Sequence, residues 1–204
     1  ITILMTGADI YLSPEDYQLN FDLAKFIPLA IIAILLIPLQ TSFEEYLFRA
    51  HMMQGLGIWT KTKWIPLVVT STLFGLMHIA NPEVEKLGHG ILVYYIGTGF
   101  FLGILTLMDE GLELALGFHA ANNLIGALLL TADWTAFQTN SIYKDVSEPT
   151  LGFDVLIPVL VVYPILLLIF SKKYGWKNWK ERLFGRVMTK EEFIAENDGE
   201  TLVA

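Results

Sequence analysis

The chain contains no cysteine, so it can form neither a disulfide nor a thiolate metal centre. Any metal would have to be held by His, Asp, Glu or Asn. Charge is also scarce: Asp, Glu, Lys and Arg make up 17% of the 204 residues, against about 25% in soluble domains. The basic sign is the rarer, 13 residues against 21 acidic, for a net charge of −8. That balance excludes nucleic acid as a partner, because a polyphosphate backbone selects basic surfaces. There is no HExxH zinc motif, no internal repeat and no low-complexity tract. The chain opens on Ile1 with no basic n-region, so no signal peptide is visible, and it reads as processed or as a piece of a longer protein that has lost an earlier helix.

What the sequence has instead is apolar surface: 54% hydrophobic residues and a mean hydropathy of +0.53. It is gathered into five runs, near 26–39, 64–79, 91–108, 112–130 and 155–170. A spanning helix needs about 20 mainly apolar residues. A soluble helical bundle would not concentrate its apolar residues in this way. Lipid leaves no water for backbone groups, so the expected fold is all-α, a polytopic transmembrane bundle of about five helices. Three regions follow: an acidic extramembrane segment over 1–25, read as a loop or an interfacial segment, a membrane domain over 26–170, and a charged amphipathic tail over 171–204. Lys and Arg cluster in the tail and in the loop around 55–63, which puts both in the cytoplasm. Tyr94, Tyr95, Trp59, Trp64, Trp176 and Trp179 are expected in the interfacial belts, and the tail helix on the anionic inner leaflet or in solvent.

Ionisable groups inside such helices are costly and therefore functional candidates. Glu44 and Glu45 point about 100° apart on a helix. Glu45 and Arg49 stand at i and i+4 in the favourable ion-pair order, and Ser42 with Glu45 also fits a capping box. Glu45 and Arg49 are therefore assigned to structure and Glu44 to chemistry. His78 closes the second apolar run, where a histidine is often just a hydrogen-bonded core residue. His119 and Asn123 share one helix face, where interhelical packing is the bland alternative. At about 1.5 Å per residue, Glu44, His78 and His119 lie about 17, 22 and 12 Å from the ends at Gly55, Lys63 and Gly111. All three fall toward the middle of a core about 30 Å thick.

At these residues the sequence resembles the CPBP family, the CAAX proteases and bacteriocin-processing enzymes also called the Abi family. The family motifs E-E-x-x-x-R, F-x-x-x-H and H-x-x-x-N read here as EEYLFR, FGLMH and HAANN, in order, within about 38–130. The resemblance implies an intramembrane endopeptidase in a bacterial plasma membrane, acting on a membrane-associated protein or peptide. It implies Glu44 and His78 as the pair that activates water, His119 and Asn123 as partners of the oxyanion, and Glu45 and Arg49 as supports. The site is expected in a water-filled cavity open to the cytoplasm or sideways to lipid.

No cofactor is required by this reading. Glu44, His78 and His119 would nevertheless suit a zinc ion with an open position. Two other functions use the same residues: a proton-coupled carrier, against which the lack of an inverted repeat counts, and a non-catalytic membrane scaffold or bacteriocin-immunity protein.

Overall fold

The computed structural model describes residues 2–189, 191, 192, 194 and 195. The chain is mostly helical, with a helix at each of the five apolar runs. Helix α2 (Leu23–Glu45) starts on Asp22, whose Oδ1 accepts the Ala24 N–H at 3.0 Å. It continues without a break through a π-helical stretch, Tyr46–Met52, into α3 (Met53–Thr60), which ends on Lys61 in the left-handed conformation. Helix α4 (Trp64–Leu76) stops three residues before the apolar run does, and Pro82 then opens the short α5 (Pro82–Leu87). Helices α6 (Leu92–Asp109) and α7 (Glu113–Leu129) follow. The last run enters through a π turn, Pro158–Val162, and forms α8 (Tyr163–Tyr174), ending four residues past the boundary expected at 170.

Two helical stretches are long and apolar enough to cross a membrane, by length and composition: Leu23–Thr60 (38 residues, mean hydropathy 2.2) and His89–Asp109 (21 residues, 2.0). The helices at the other three runs are shorter. Along α2, Ile31, Ile32, Leu35, Leu36 and Leu39 are each more than half exposed. A continuous apolar face of this kind suits lipid and not water.

Two expectations change. Of the two readings of the segment 1–25, a loop or an interfacial segment, the loop gives way: the segment contains the helix α1 (Thr2–Leu12), which packs on α7 with Thr2 Oγ1 donating to Asn122 Oδ1 at 2.9 Å. The fold is also not purely helical. Strand β1 (Tyr17–Leu19) pairs antiparallel with β3 (Tyr143–Asp145), which pairs in parallel with β2 (Leu130–Ala132). The polar stretch after α7 thus satisfies backbone groups that have no helix to serve them.

The core lies along α6, where Phe101, Leu102, Leu105 and Met108 pack with Phe48, Phe74, Tyr163 and Leu166. Its tightest crossing is between α4 and α6. Ser71 and Gly75 on one helix face Gly99 and Gly103 on the other, the small-xxx-small spacing that lets membrane helices approach. A Cβ on Gly99 would lie 2.6 Å from the Ser71 carbonyl oxygen, and one on Gly75 2.7 Å from the Ile96 nitrogen.

The start of the tail packs against the bundle. Trp176 is buried in the core rather than in an interfacial belt, and its Nε1–H donates to Asp109 Oδ1 at 3.0 Å. In α9 (Trp179–Phe184), Arg182 reaches the Met108 carbonyl at 2.8 Å and Glu110 at 3.1 Å. Gly185 and Val187 bond to the backbone of Lys63 and Lys61. Lys190, Phe193 and 196–204 of the expected tail lie outside the described residues.

Candidate active site

The three motif-bearing stretches meet through one fully buried pair. Arg49 Nη1 donates to Glu45 Oε1 at 3.0 Å, with both side chains shut off from solvent. Arg49 Nη2 donates to the Gly99 carbonyl at 3.1 Å, possible because α4 and α6 are so close there. The guanidinium also lies 4.3 Å above the Phe74 ring, a cation–π contact in a desolvated setting. The i, i+4 pairing read from the sequence is therefore present, though π-helical backbone begins at Tyr46. Such backbone occurs mostly as short insertions in α-helices and is frequent at functional sites.

Glu45 does more than answer Arg49. Its Oε1 also accepts from His119 Nδ1, on α7, at 2.7 Å. His119 Nε2 lies 3.8 Å from Glu44 Oε2. The two adjacent carboxylates, pointing apart along their own helix, thus flank one imidazole: Glu45 at Nδ1 and Glu44 on the Nε2 side. Glu44 also takes a hydrogen bond from Gln40 Nε2, one turn earlier on α2. The Phe74 ring meets the His119 ring edge-on, at 5.7 Å and 73°.

Glu44, His78, His119 and Asn123 all line one cavity of about 590 Å³. Phe74, Gln40, Asn81, Glu83, Tyr94, Tyr95 and Thr98 share its wall. Glu45 and Arg49 lie behind it. No Lys or Arg is among the described residues that line it. His78 stands two residues past the end of α4. Its Nδ1 faces the Phe74 carbonyl at 2.9 Å, and a carbonyl only accepts, so Nδ1 carries the proton and neutral His78 offers Nε2 as an acceptor. The same reasoning applies to His119. With Nδ1–H given to Glu45, neutral His119 offers Nε2 as an acceptor, and only the imidazolium offers it as a donor.

Some of this wall was missed in the sequence. Gln40 sits one turn before Glu44 and was readable from that spacing. Tyr94 and Tyr95, expected in an interfacial belt, are half-buried cavity residues brought in by the α4–α6 crossing. That signal lies in the small residues Ser71, Gly75, Gly99 and Gly103.

Among the described residues no three of His, Asp and Glu gather into a group that could hold a metal ion. His78 and His119 each keep Nε2 available while Nδ1 is held, by a carbonyl for His78 and by Glu45 for His119, the way the second nitrogen of a ligating histidine is usually held.

The cavity belongs to one end of the bundle. It is walled by the C-terminal end of α4, the N-terminal end of α6 and residues 136 and 137. The opposite end, at Lys61–Lys63 and Met108–Glu110, is covered by the tail. Of the two expected openings, the one to the cytoplasm therefore conflicts with the expected cytoplasmic tail, and the sideways one to lipid does not.

A family model described as type II CAAX prenyl endopeptidase Rce1-like matches residues 23–125, half of the chain and all three motifs. The chain is 33% identical over 136 residues to an uncharacterised protein, YyaK, of Bacillus subtilis (strain 168). That match takes in 66% of this chain and 44% of the relative, so the chain spans less than half of the relative's length. No solved structure matches the chain.

Proposed function

Because the chain belongs to the Rce1-like family of type II CAAX prenyl endopeptidases, we propose that it is an intramembrane endopeptidase cleaving a peptide bond of a membrane-associated protein or peptide. The observation that carries the reading is the convergence of Glu44, His78, His119 and Asn123, from α2, the α4 end and α7, on one cavity.

Glu44 is the general base. It takes a proton from a water molecule whose other hydrogen is accepted by His78 Nε2, and the hydroxide attacks the scissile carbonyl carbon. The carbonyl oxygen gains the negative charge. Asn123 Nδ2 and His119 Nε2 are the donors for it. His119 can serve only as the imidazolium, because Nδ1 is already given to Glu45. Glu44 then returns its proton to the departing amine nitrogen, and the products are a carboxylate-ended and an amine-ended fragment. Glu45 and Arg49 touch no reacting atom. They hold the His119 ring.

The test is cleavage of a membrane-tethered peptide by purified protein in lipid vesicles, assayed with and without a strong chelator. Glu44→Gln should abolish cleavage while thermal unfolding stays unchanged, and the wild-type rate should survive metal removal. Unchanged cleavage by Glu44→Gln removes Glu44 as the base, and a rate lost to chelation and restored by zinc replaces this mechanism with a metal-assisted one.

The orientation carries a separate expectation. The Lys and Arg distribution puts the tail in the cytoplasm, which sets the cavity mouth on the other face. These 204 residues contain no cysteine, so an introduced one is labelled without background from them. In intact cells a membrane-impermeant maleimide should label Glu85→Cys and spare Lys177→Cys. The reverse pattern would turn the cavity toward the cytoplasm.

A further inference from the structure

His78 lies outside regular helix, because α4 ends at Leu76. Its backbone N–H bonds only to the Gly75 carbonyl three residues back, at 3.1 Å. Its ring is held by one hydrogen bond, Nδ1 to the Phe74 carbonyl, and a single bond of that kind leaves the imidazole plane free to swing about the bond axis. Two rings limit the swing. Phe74 meets His78 at a tilt, with centroids 5.2 Å apart and planes at 54°. Tyr95, from α6, lies nearly parallel to it, at 4.2 Å and 15°. Only the second contact covers a face of the imidazole. Tyr95 is itself anchored: its hydroxyl donates to Glu83 Oε1, on α5, at 3.2 Å, and Tyr94 packs against its ring at 5.5 Å. The carboxylate of Glu83 and the His78 imidazole are thus joined by one rigid aromatic side chain, and all three line the cavity.

The geometry points to Tyr95, anchored by Glu83, as the positioning residue that fixes the plane of the His78 imidazole and with it the direction of Nε2. It rests on the reading of His78 as a partner of the attacking water. A buried tyrosine hydroxyl needs a partner in any case, so the bond to Glu83 alone says nothing of function. What sets Tyr95 apart is that the anchored ring lies flat on the one site residue that stands beyond its helix. A water bound by Glu44 and His78 together tolerates little error in the second acceptor, because misplacement by about 1 Å can cost about 100-fold in rate.

The experiment compares wild type, Tyr95→Leu, Tyr95→Phe, Glu83→Leu and His78→Gln in lipid vesicles, with two readouts. One is cleavage of the tethered peptide. The other is nitrogen NMR of ring-labelled histidine, its ring N–H dipolar couplings included, in which His78→Gln identifies the His78 signals. The wild type should show one neutral tautomer of His78, protonated at Nδ1, with the full couplings of a fixed ring. Tyr95→Leu should keep that tautomer, since Nδ1 still faces the Phe74 carbonyl, but show couplings reduced by swinging of the ring plane, and lower kcat by roughly 10- to 100-fold, with KM within about twofold, since only the reacting geometry is disturbed. Tyr95→Phe keeps the stack and loses the anchor, so it should fall between the two.

A Tyr95→Leu protein with wild-type ring couplings and wild-type kcat would overturn the proposal. If that variant does not fold, Glu83→Leu decides, because it leaves the ring in place: reduced couplings support the anchor and wild-type couplings refute it. Cleavage by His78→Gln at the wild-type rate would instead remove His78 from the reaction. The ring couplings would still report whether Tyr95 orients it.

Discussion

Two cavities lie on either side of the Glu45–Arg49 pair, and they differ far more in chemistry than in size. One, of about 590 Å³, collects Glu44, His78, His119 and Asn123. The other, of about 480 Å³, lies toward the tail end, walled mainly by Met53, Ile58, Pro66, Leu107 and Leu112, with Lys63 and Glu110 among its polar residues. Arg49 lines the second cavity, while its partner Glu45 reaches His119 in the wall of the first. Volume alone does not mark a site, and polar side chains alone do not either, since Arg49, Gln54, Thr62 and Thr106 also line the second cavity. Ionisable groups inside membrane helices are functional candidates by default, and of these two cavities only the first brings a carboxylate and two imidazoles together. The comparison thus turns on what points inward.

The largest effect expected is on that contrast. Glu44→Gln should lower kcat by about 10²- to 10⁴-fold, the range for loss of a positioned base. Gln54→Leu, in the second cavity, should stay within about threefold, since it touches no reacting group. Equal losses would mean that the cavities work as one.

Next in size is the wall between them. Arg49→Met leaves the Glu45 carboxylate buried without its cation, and removing one partner of such a pair costs about 3–5 kcal/mol. The double variant Glu45→Leu with Arg49→Met removes both charges and should recover most of that in thermal unfolding. It should not recover cleavage, because His119 Nδ1 has then lost its acceptor. Recovery of both stability and rate would reduce the pair to packing and would take Glu45 out of the account of His119.

The same pair shows what was legible in the sequence. A helix at each of the five apolar runs was readable from hydrophobicity, but only two helical stretches reach the length of a span, Leu23–Thr60 and His89–Asp109. The meeting of Glu44, His78 and His119 was foreshadowed by similar depth, and Asn123 by the face it shares with His119. The Glu45–His119 contact was not. Local spacing gave Glu45 to Arg49 and stopped there, and the second partner comes from 74 residues away. The π-helical stretch has no spacing signal of its own. Strand β1 was hidden because three residues are too short for a period, and its partner β3 lies more than a hundred residues on. The start of the tail looked like a surface helix. Its Trp176 finds Asp109 only once α6 and α8 are side by side. In each case the missing information was a long-range contact, which periodicity does not carry.

The smallest effect concerns the crossing that brings Tyr95 over His78 and the Gly99 carbonyl to Arg49. Gly99→Ala would put a Cβ 2.6 Å from the Ser71 carbonyl oxygen. Backbone cannot step aside as a side chain can, so the helices must separate, at a cost of about 1–3 kcal/mol. Gly117, on α7, offers the matched control, because a Cβ there meets nothing within 4 Å. Gly117→Ala should stabilise by about 0.5–1 kcal/mol through helix propensity alone. Both are read by thermal unfolding in detergent micelles, and Gly99→Ala should also weaken cleavage, since the Arg49 bond to the Gly99 carbonyl stretches with the crossing. If Gly99→Ala lost stability but kept the full rate, the close approach would serve packing only, and the placement of Arg49 and Tyr95 would have to come from α6 by itself.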